Sequence, residues 1–338
     1  MNATEITTEV RFGGVLRVSA LATVPCVLLG LPGNVLTLLA IRQVKKLSHW
    51  RIQNKKLQNR CNYLIGALAA LDALTCLTYL HGAVKKLLPI GTFHVPRSVC
   101  LLGSLPAVAL VTASAFGLLL IGVDRLLAVK AANKYRNWKT GNYLKLHAIA
   151  WIAYVALTVG TAAATSYSDE GWSAHFMEVC IGSELLRGAG RSVWLLGTVV
   201  QNLAVVLVYG YTFTIMRKQK LEKSTKQKIL VTLTIVVAIY MATWFLSITG
   251  GVVVAALTNL KKTAGWRKMR MLTALPLLLN SAANPFVYFV RSDEYRATFL
   301  KLLHIHPSKT KVQPFTTAQG NIKGAVSTRT GRTGHTAF

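Results

Sequence analysis

Long apolar segments alternate with short basic connectors along most of the chain. Seven segments reach the roughly 18 to 20 apolar residues that a helix needs to cross a bilayer. They cover residues 16–41, 61–84, 98–130, 146–165, 193–216, 229–257 and 271–290. The pattern predicts an all-α protein built as a seven-transmembrane helix bundle, and the prolines of the last segment, Pro276 and Pro285, are tolerated in such a bundle.

The composition agrees with a membrane protein, because 52% of the 338 residues are hydrophobic and only 15% are charged. In soluble domains about a quarter of all residues are charged. The connectors are too short for a separate folded domain, so we expect one membrane domain over residues 16–303. An N-terminal segment at 1–15 precedes it. The tail at 304–338 is rich in Lys, Thr, Gly and Ser and is expected to be disordered.

Positive charge is concentrated on one side of the predicted bundle. The net charge is +28, and most of the 39 Lys and Arg residues lie in the connectors after segments one, three and five and in the tail. Because such residues stay on the cytoplasmic side, the N-terminus is predicted to be extracellular. The basic rim, which includes Arg60, is expected to attract anionic inner-leaflet lipids. Nucleic-acid binding would require a soluble basic face or a recognisable module, and the sequence shows neither.

One basic group on the outer side, before the seventh segment, runs against this rule. Its members are Lys261, Lys262, Arg267, Lys268 and Arg270. They could attract an acidic ligand. Alternatively, these residues form a solvated loop or anchor the end of the helix at the membrane surface. The sequence favours this alternative.

The five cysteines divide by their predicted side of the membrane. Cys26 and Cys76 lie within apolar segments, where a free thiol packs as a small hydrophobe, and Cys61 lies at the reducing inner face. Cys100 and Cys180 share the oxidising outer side. We infer a disulfide between Cys100 and Cys180, which would tie the connector between segments four and five to the start of segment three.

Polar residues within the segments are expected to face the interior of the bundle, because they are costly in contact with lipid. Asp72 lies near the middle of the second segment. Its candidate partners in the other segments are Asn34, Ser114, Asn280, Ser281 and Asn284. Interhelical hydrogen bonds that hold the helices together would explain each amide taken alone.

The seventh segment carries a polar stripe, because Asn280, Asn284 and Tyr288 are spaced four residues apart. Pro285 removes a backbone donor within this stripe and weakens the helix locally. A further charged pair, Asp124 and Arg125, ends the third segment, about 37 Å from Cys100 at 1.5 Å per residue. Arg125 is therefore accessible to an intracellular partner, although an ordinary snorkelling residue would occupy the same place.

Together these residues resemble the signatures of the rhodopsin-like family of G-protein-coupled receptors, in order along the chain. The matching residues are Gly33 and Asn34, the stretch 68–72 that ends in Asp72, Asp124-Arg125-Leu126, Trp151, and the stretch 280–288. The stretches 61–66 and 122–129 and the Trp244-bearing sixth segment are similar to nematode serpentine chemoreceptors of the Srsx type.

The resemblance implies that Asp124 restrains Arg125 at rest and that Arg125 contacts a heterotrimeric G protein after activation. The other implied members of the activation switch are Tyr209, Trp244, Asn284, Pro285 and Tyr288. It also implies a sodium ion as the one cofactor, in a pocket formed by Asp72, Ser114, Asn280 and Asn284. An amphipathic helix is implied at 292–303, with Phe299, Leu300, Leu302 and Leu303 as its apolar face.

Four positions depart from the family pattern. Leu126 follows the Asp-Arg pair in place of the usual Tyr, and Lys226 lies where many members carry an acid that latches Arg125. Leu246 and Gln201 lie where the sixth and fifth spans usually carry proline. We expect a looser resting state, in which Gly250 and Gly251 either allow bending or only close packing.

The sequence does not identify the ligand. Ala107 lies where amine receptors place an acid, which argues against a monoamine, and the seventh segment lacks a Lys on the cavity side, which argues against retinal. An extracellular chemosensory cue or a neuropeptide is expected. A seven-span ligand-gated channel or transporter is the alternative function, although no internal repeat is visible. An enzyme is not expected, since His81 and His147 lie alone and are predicted to be interfacial.

Modification sites are expected at both ends of the chain. Asn2 begins an Asn-Ala-Thr glycosylation triplet on the predicted outer side. Arrestin and a receptor kinase are candidate partners of the tail. The candidate kinase targets are Thr316, Thr317, Ser327, Thr328, Thr330 and Thr333, although plain tail composition explains them equally.

Overall fold

The computed structural model describes residues 3–46, 60–87, 95–168, 176–177, 186, 188–218, 223–261 and 270–305. Within these residues, seven helices are long and apolar enough to cross a membrane. The helices of these first to seventh spans are Ala3–Lys46, Arg60–Leu87, Arg97–Lys130, Thr140–Val155 continued by Thr161–Tyr167, Gly188–Lys218, Lys223–Lys261 and Leu275–Arg291. The predicted all-α bundle of seven spans is confirmed.

Most helices extend beyond the apolar segment predicted for them. The fourth span, for example, begins at Thr140 rather than at residue 146, and the sixth helix runs over Lys223–Lys261. The seventh segment begins in a 3-10 turn, Arg270–Ala274, before its α-helix. Hydropathy marks only the part of a helix that crosses the bilayer, whereas helical hydrogen bonding propagates into the flanking polar residues.

The fourth span contains a π-helical turn, Ala156–Gly160, which the sequence did not predict. Threonine hydroxyls line this part of the helix. Thr158 donates to the Tyr154 carbonyl at 2.8 Å, Thr161 to the Leu157 carbonyl, and Thr165 to the Thr161 carbonyl at 2.7 Å. Such back-bonding to the preceding turn accompanies local irregularity in helices.

Three small elements lie outside the seven spans. A connector helix, Ala132–Asn137, follows the third span, and an amphipathic helix, Asp293–Leu302, follows the seventh. A short antiparallel ladder pairs Val95 with Met177 and Pro96 with Phe176. The ladder holds part of the connector between the fourth and fifth spans next to the start of the third span.

The bundle packs around the second and third spans. The first span contacts the second and seventh, the third contacts the second and fifth, and the sixth contacts the seventh. Trp151 donates from its indole nitrogen to the Ala113 carbonyl at 2.7 Å and packs over Gly117, so that the fourth span also lies against the third. Polar side chains of the first, second, third and seventh spans are buried in the interior of this bundle, among them Asn34, Asp72, Ser114 and Asn284.

Large apolar side chains cover the outside of the bundle. In the fourth span Ile152 is 71% exposed, and in the fifth span Leu207 is 70% exposed. Soluble proteins rarely expose so many large apolar side chains together. In a bilayer they contact lipid, which agrees with the seven spans.

Gly250 and Gly251 differ in their surroundings. A Cβ on Gly250 would lie 3.3 Å from Cγ2 of Thr273, whereas a Cβ on Gly251 would meet nothing within 4 Å. Ser247 donates to the Thr273 carbonyl at 2.6 Å one turn earlier. Of the two explanations that the sequence left open, close packing against the start of the seventh span applies to Gly250.

Gly190 allows the fifth span to approach the end of the fourth, and its replacement by alanine is expected to destabilise the protein. A Cβ there would collide with the Ala162 carbonyl and the Ser166 hydroxyl. Overpacking of this kind costs about 1–3 kcal/mol, so the thermal unfolding midpoint in detergent should fall. Gly210→Ala in the same helix is the control, because a Cβ at Gly210 meets nothing within 4 Å. Equal midpoints for the two variants would contradict this packing.

Candidate functional site

A buried polar cluster joins three spans in the middle of the membrane. Asp72 is fully buried, and its carboxylate accepts hydrogen bonds from the Ser114 hydroxyl at 2.6 Å and the Asn284 amide at 2.8 Å. The second, third and seventh spans therefore meet at one carboxylate. Asn280, which the sequence analysis also placed in this cluster, is buried, but the described hydrogen bonds do not join it to Asp72.

The first span is attached to the seventh close to this cluster. The Asn34 amide donates to the Ser281 carbonyl at 3.0 Å and to the Gly30 carbonyl at 2.9 Å. A Cβ on Gly33 would lie 2.9 Å from Cβ of Pro285, so glycine is required for this approach. The Asn34 amide oxygen is buried without a hydrogen-bond partner among the described atoms. A buried oxygen of this kind has capacity for a water molecule or a cation.

A charged pair lies at the predicted cytoplasmic end of the third span. Arg125 donates to Oδ2 of Asp124 from Nη2 at 2.7 Å and from Nε at 3.1 Å. Asp124 is fully buried, whereas the Arg125 side chain is 29% exposed. Part of the Arg125 side chain is therefore exposed, while its guanidinium is paired with the carboxylate.

Two tyrosines complete the coordination of Asp124. Its Oδ1 accepts from the Tyr135 hydroxyl at 2.8 Å and from the Tyr143 hydroxyl at 2.9 Å. Tyr135 lies on the connector helix, outside the spans, and burial together with the Asp124 charge raises its pKa above the usual value. The Tyr135 hydroxyl therefore stays protonated and remains a donor.

Arg60 is buried in this region, so its assignment to the lipid-facing basic rim is wrong. Only 8% of it is exposed. Its guanidinium donates to the carbonyls of Tyr135 and Trp138 and lies 4.8 Å from the Tyr135 ring centre and 5.5 Å from the Tyr143 ring centre. The side chain is buried because backbone carbonyls and aromatic faces satisfy the charge.

Tyr209 and Tyr288, the two tyrosines that the resemblance assigns to the activation switch, occupy different environments. Tyr209 is buried, donates to the Leu118 carbonyl at 3.0 Å, and packs its ring over Gly122. Tyr288 is half-buried and stacks on Tyr295, with ring centres 5.5 Å apart. The two rings thus approach the third span and the amphipathic helix respectively.

Trp244 lies in the core beside a polar link between the fifth and sixth spans. Its ring centre is 6.0 Å from that of Tyr240. The Tyr240 hydroxyl donates to the Asn202 side chain at 2.6 Å and accepts from the Gln201 amide at 3.3 Å. Gln201, noted in the sequence only as a missing proline, therefore helps to connect two spans.

The amphipathic helix packs its aromatic residues against the bundle. Ser292 caps it by accepting from the Tyr295 backbone amide at 3.4 Å. Phe299 of the predicted apolar face is buried, as is Tyr295, which the sequence analysis did not include and which donates to Asn62 at 3.2 Å. Leu303 is exposed, at the end where lipid would cover it.

His147 is buried, so its predicted interfacial position is wrong. Its Nδ1 lies 2.9 Å from the Tyr143 carbonyl oxygen, and its ring centre lies 4.1 Å from that of Tyr143. The helix begins at Thr140, earlier than the apolar segment, and the added residues include Tyr143, which packs on His147. The Nδ1 atom thus has a backbone partner within the protein.

Several predicted residues lie outside the described part of the structure. Cys100 is disulfide-bonded and buried, and Cys26, Cys61 and Cys76 are free, but Cys180 is not among the described residues. The same applies to Asn2, to the tail after residue 305, and to the side chains of Lys226 and of the outer basic group. These predictions stay predictions.

Seven membrane spans, a buried carboxylate that joins three of them and an Asp-Arg pair at one end of the third are the features of a G-protein-coupled receptor. The chain belongs to the family described as serpentine type 7TM GPCR chemoreceptor Srsx, which matches residues 27–303. The predicted family and the receptor class are confirmed.

Curated relatives are receptors of the same class. Sphingosine 1-phosphate receptor 1 of Danio rerio is 29% identical over 80% of this chain and 74% of its own length. Lysophosphatidic acid receptor 3 of Homo sapiens is 24% identical over 75% of this chain and 72% of its own. The alpha-1D adrenergic receptor of Sus scrofa is 24% identical over 87% of this chain and 58% of its own. Neither the family nor these relatives support the channel or transporter alternative, and they are receptors rather than enzymes.

Proposed function

We propose that this G-protein-coupled receptor acts in the plasma membrane with its N-terminus outside, and that Arg125 is the residue through which it engages a heterotrimeric G protein. The observation that carries the proposal is the arrangement of Arg125, which is partly exposed at the end of the third span and paired with the fully buried Asp124. A ligand that binds better to a state in which this pair is open shifts the population toward that state.

Signal transmission through the bundle is proposed to involve the polar and aromatic residues of the fifth, sixth and seventh spans. Trp244 packs beside Tyr240, which bridges the fifth and sixth spans. Asn284 and Pro285 adjoin the Asp72 cluster, and Tyr209 and Tyr288 lie on the cytoplasmic side of these residues. Pro285 leaves one turn of the seventh span without a backbone hydrogen bond, so this turn is the proposed site of bending.

The ligand is proposed to carry an acidic group. Among the acidic side chains that the structure describes, Asp72 lies in the middle of the membrane and Asp124 and Asp293 lie at the predicted cytoplasmic side. Basic side chains occur at the outer helix ends, where Lys86 lies 3.4 Å from the Ser19 hydroxyl. Two relatives are named as receptors for sphingosine 1-phosphate and lysophosphatidic acid, both of them acidic lipids. Ala107 provides no carboxylate for an amine.

The test is a screen for ligand-driven guanine nucleotide exchange. Membranes that contain the full-length chain are combined with a panel of purified heterotrimers and challenged with sets of phospholipid-derived acids, carboxylic acids, peptides, odorants and amines. Exchange is expected with members of the acidic sets. Responses confined to amines would overturn the ligand proposal, and transport or current without a G protein would overturn the coupling proposal.

A sodium ion is proposed to bind at Asp72, with Ser114, Asn280 and Asn284 as the other donors. A carboxylate, a hydroxyl and amide oxygens form an oxygen donor set of the kind that hard cations prefer, and the buried Asn34 oxygen has free capacity. An ion that binds only the folded state stabilises it, and the stabilisation grows with the logarithm of the ion concentration once the site is saturated. The unfolding midpoint should therefore be higher in sodium chloride than in choline chloride, and Asp72→Asn should abolish the difference. A difference that survives in the variant would contradict this site.

The Cys100–Cys180 disulfide, glycosylation at Asn2 and tail phosphorylation remain proposals for regulation and folding. Cys100 is disulfide-bonded while Cys26, Cys61 and Cys76 are free thiols, which supports Cys180 as the partner. A receptor kinase and arrestin are the proposed partners of the tail threonines, and inner-leaflet lipids are the proposed partners of the basic rim. Peptide mass spectrometry of the purified receptor tests the three modifications, and unmodified peptides throughout would contradict them.

A further inference from the structure

We infer that Arg60, Tyr135 and Tyr143 are positioning residues that keep the Asp124–Arg125 pair closed, so that the connector helix controls the ligand-independent activity of the receptor. This inference rests on the proposed role of Arg125. It assigns a regulatory function to residues of the second span, the connector helix and the fourth span.

The coordination of Asp124 orients its carboxylate toward Arg125. Its two oxygens have different partners, because Oδ2 accepts from Arg125 and Oδ1 accepts from both tyrosine hydroxyls. The two hydroxyls fix the rotation of the carboxylate, and this rotation directs Oδ2 at the Arg125 guanidinium. Without them, a buried carboxylate would turn toward other donors and weaken its two contacts to Arg125.

The positions of the two tyrosines depend on Arg60. Arg60 donates to the Tyr135 and Trp138 carbonyls, and its Nε lies 3.4 Å from the Thr140 hydroxyl. One guanidinium thereby holds the end of the connector helix against the start of the fourth span. The aromatic rings pack on each other, since the Tyr135 and Tyr143 ring centres are 5.8 Å apart in an edge-to-face arrangement.

The connector helix itself is weakly attached to the bundle. The helix has six residues and no buried ones, and Tyr135 is the one that is half-buried. A helix this short has little stability of its own. Its position therefore depends on the contacts of Arg60 and on the Tyr135 hydroxyl.

The sequence indicates why a local restraint is needed. Lys226 lies where related receptors carry an acid for Arg125, and Leu126 replaces the usual tyrosine. The hydrogen bonds to Asp124 come from Arg125 of the third span, Tyr135 of the connector helix and Tyr143 of the fourth span, and the Cys61 thiol of the second span also contacts the pair. A restraint within these elements does not require an acid from the sixth span.

The experiment measures ligand-free nucleotide exchange by the full-length receptor in membranes, normalised to surface level, with the same panel of heterotrimers. Tyr143→Phe removes one hydroxyl and keeps the ring, and we expect exchange to rise about tenfold, as the loss of one hydrogen bond to a charged group implies. Arg60→Gln and Tyr135→Phe should raise it similarly. Tyr154→Phe is the matched control, because Tyr154 donates to the Gly197 carbonyl in the outer half of the same span.

A double variant separates positioning from a merely structural role. Asp124→Asn should itself raise ligand-free exchange, and adding Tyr143→Phe to it should cause no further rise, because both changes act through the same carboxylate. Loss of folding would lower exchange and surface level rather than raise exchange. Arg60→Lys, which keeps the charge without the forked geometry, provides a second variant if Arg60→Gln is poorly expressed.

Two outcomes would overturn the inference, and they can be distinguished. If Asp124→Asn raises exchange while the Tyr143, Tyr135 and Arg60 variants behave like Tyr154→Phe, the inference is wrong and the proposed function stands. If no variant raises exchange, Asp124→Asn included, although all reach the surface, the proposed role of Arg125 is wrong and the inference is wrong with it.

Discussion

Ligand-driven nucleotide exchange is expected to fall to the background of receptor-free membranes when Arg125 is replaced by alanine. The Arg125 guanidinium is partly exposed at the predicted cytoplasmic end of the third span and is paired with a buried carboxylate. Alanine removes the donor that a G protein would contact and leaves Asp124 with the two tyrosine hydroxyls. Exchange is measured with purified heterotrimers and an agonist from the screen.

The controls for Arg125→Ala separate coupling from folding. Arg42→Ala changes an exposed basic residue at the inner end of the first span, and it should leave exchange within about twofold, as surface substitutions usually do. Surface level and ligand binding should remain normal in both variants. Full agonist-driven exchange by Arg125→Ala at a normal surface level would refute the assigned role.

Surface delivery is expected to fall about tenfold when Cys100 is replaced by serine, because the proposed bond to Cys180 would close a loop of about 80 residues and a disulfide of that loop length stabilises by several kcal/mol. Cys100 is disulfide-bonded and buried at the start of the third span. Loss of the bond frees the connector that the Val95–Met177 ladder places there. Antibody labelling of intact cells measures the receptor that reaches the surface, and glycan processing reports how much stays inside.

Cys26→Ala is the matched control for Cys100→Ser, because Cys26 is a free, buried thiol in the first span. Cys26→Ala should remove only part of one packing contact, so most of the receptor should still reach the surface. Cys180→Ser should reproduce Cys100→Ser, and the double variant should be no worse than either single one. Additive losses would contradict a bond between the two residues.

The spans could be predicted from the sequence because membrane crossing depends on length and hydropathy, which are local properties. Candidate partners of Asp72 could also be predicted from the sequence. A polar residue in the apolar layer must face other polar residues, so Ser114 and Asn284 were candidates before their contacts at 2.6 and 2.8 Å were seen. Few polar residues lie at that depth, which limits the choice.

The network around Arg60 could not be predicted, because its partners are backbone carbonyls and aromatic rings that come together only in the folded chain. A basic residue at the start of a span usually extends to the headgroups. Arg60 is buried because the connector helix places the Tyr135 and Trp138 carbonyls beside it. Tyr143 and Tyr295 gave no signal in the sequence, since an aromatic residue near a helix end is common in membrane proteins.

Gln201 departs from the family pattern, and only the structure shows its role in the link between the fifth and sixth spans. Gln201 in place of proline suggested a missing kink. The structure shows that its amide, Asn202 and the Tyr240 hydroxyl form a buried bridge instead. Spacing along one helix does not show which side chain of another helix faces it, so the sequence could not reveal this pairing.

The most direct test of the Asp124–Arg125 switch compares ligand-free exchange by Asp124→Asn with that by the double variant Asp124→Asn and Arg125→Ala. The comparison uses no ligand and holds the surface level equal. The switch predicts exchange well above that of the unmodified receptor for Asp124→Asn, and exchange at the receptor-free background for the double variant. Equal exchange by the two variants would contradict the claim that Arg125 carries the signal to the G protein.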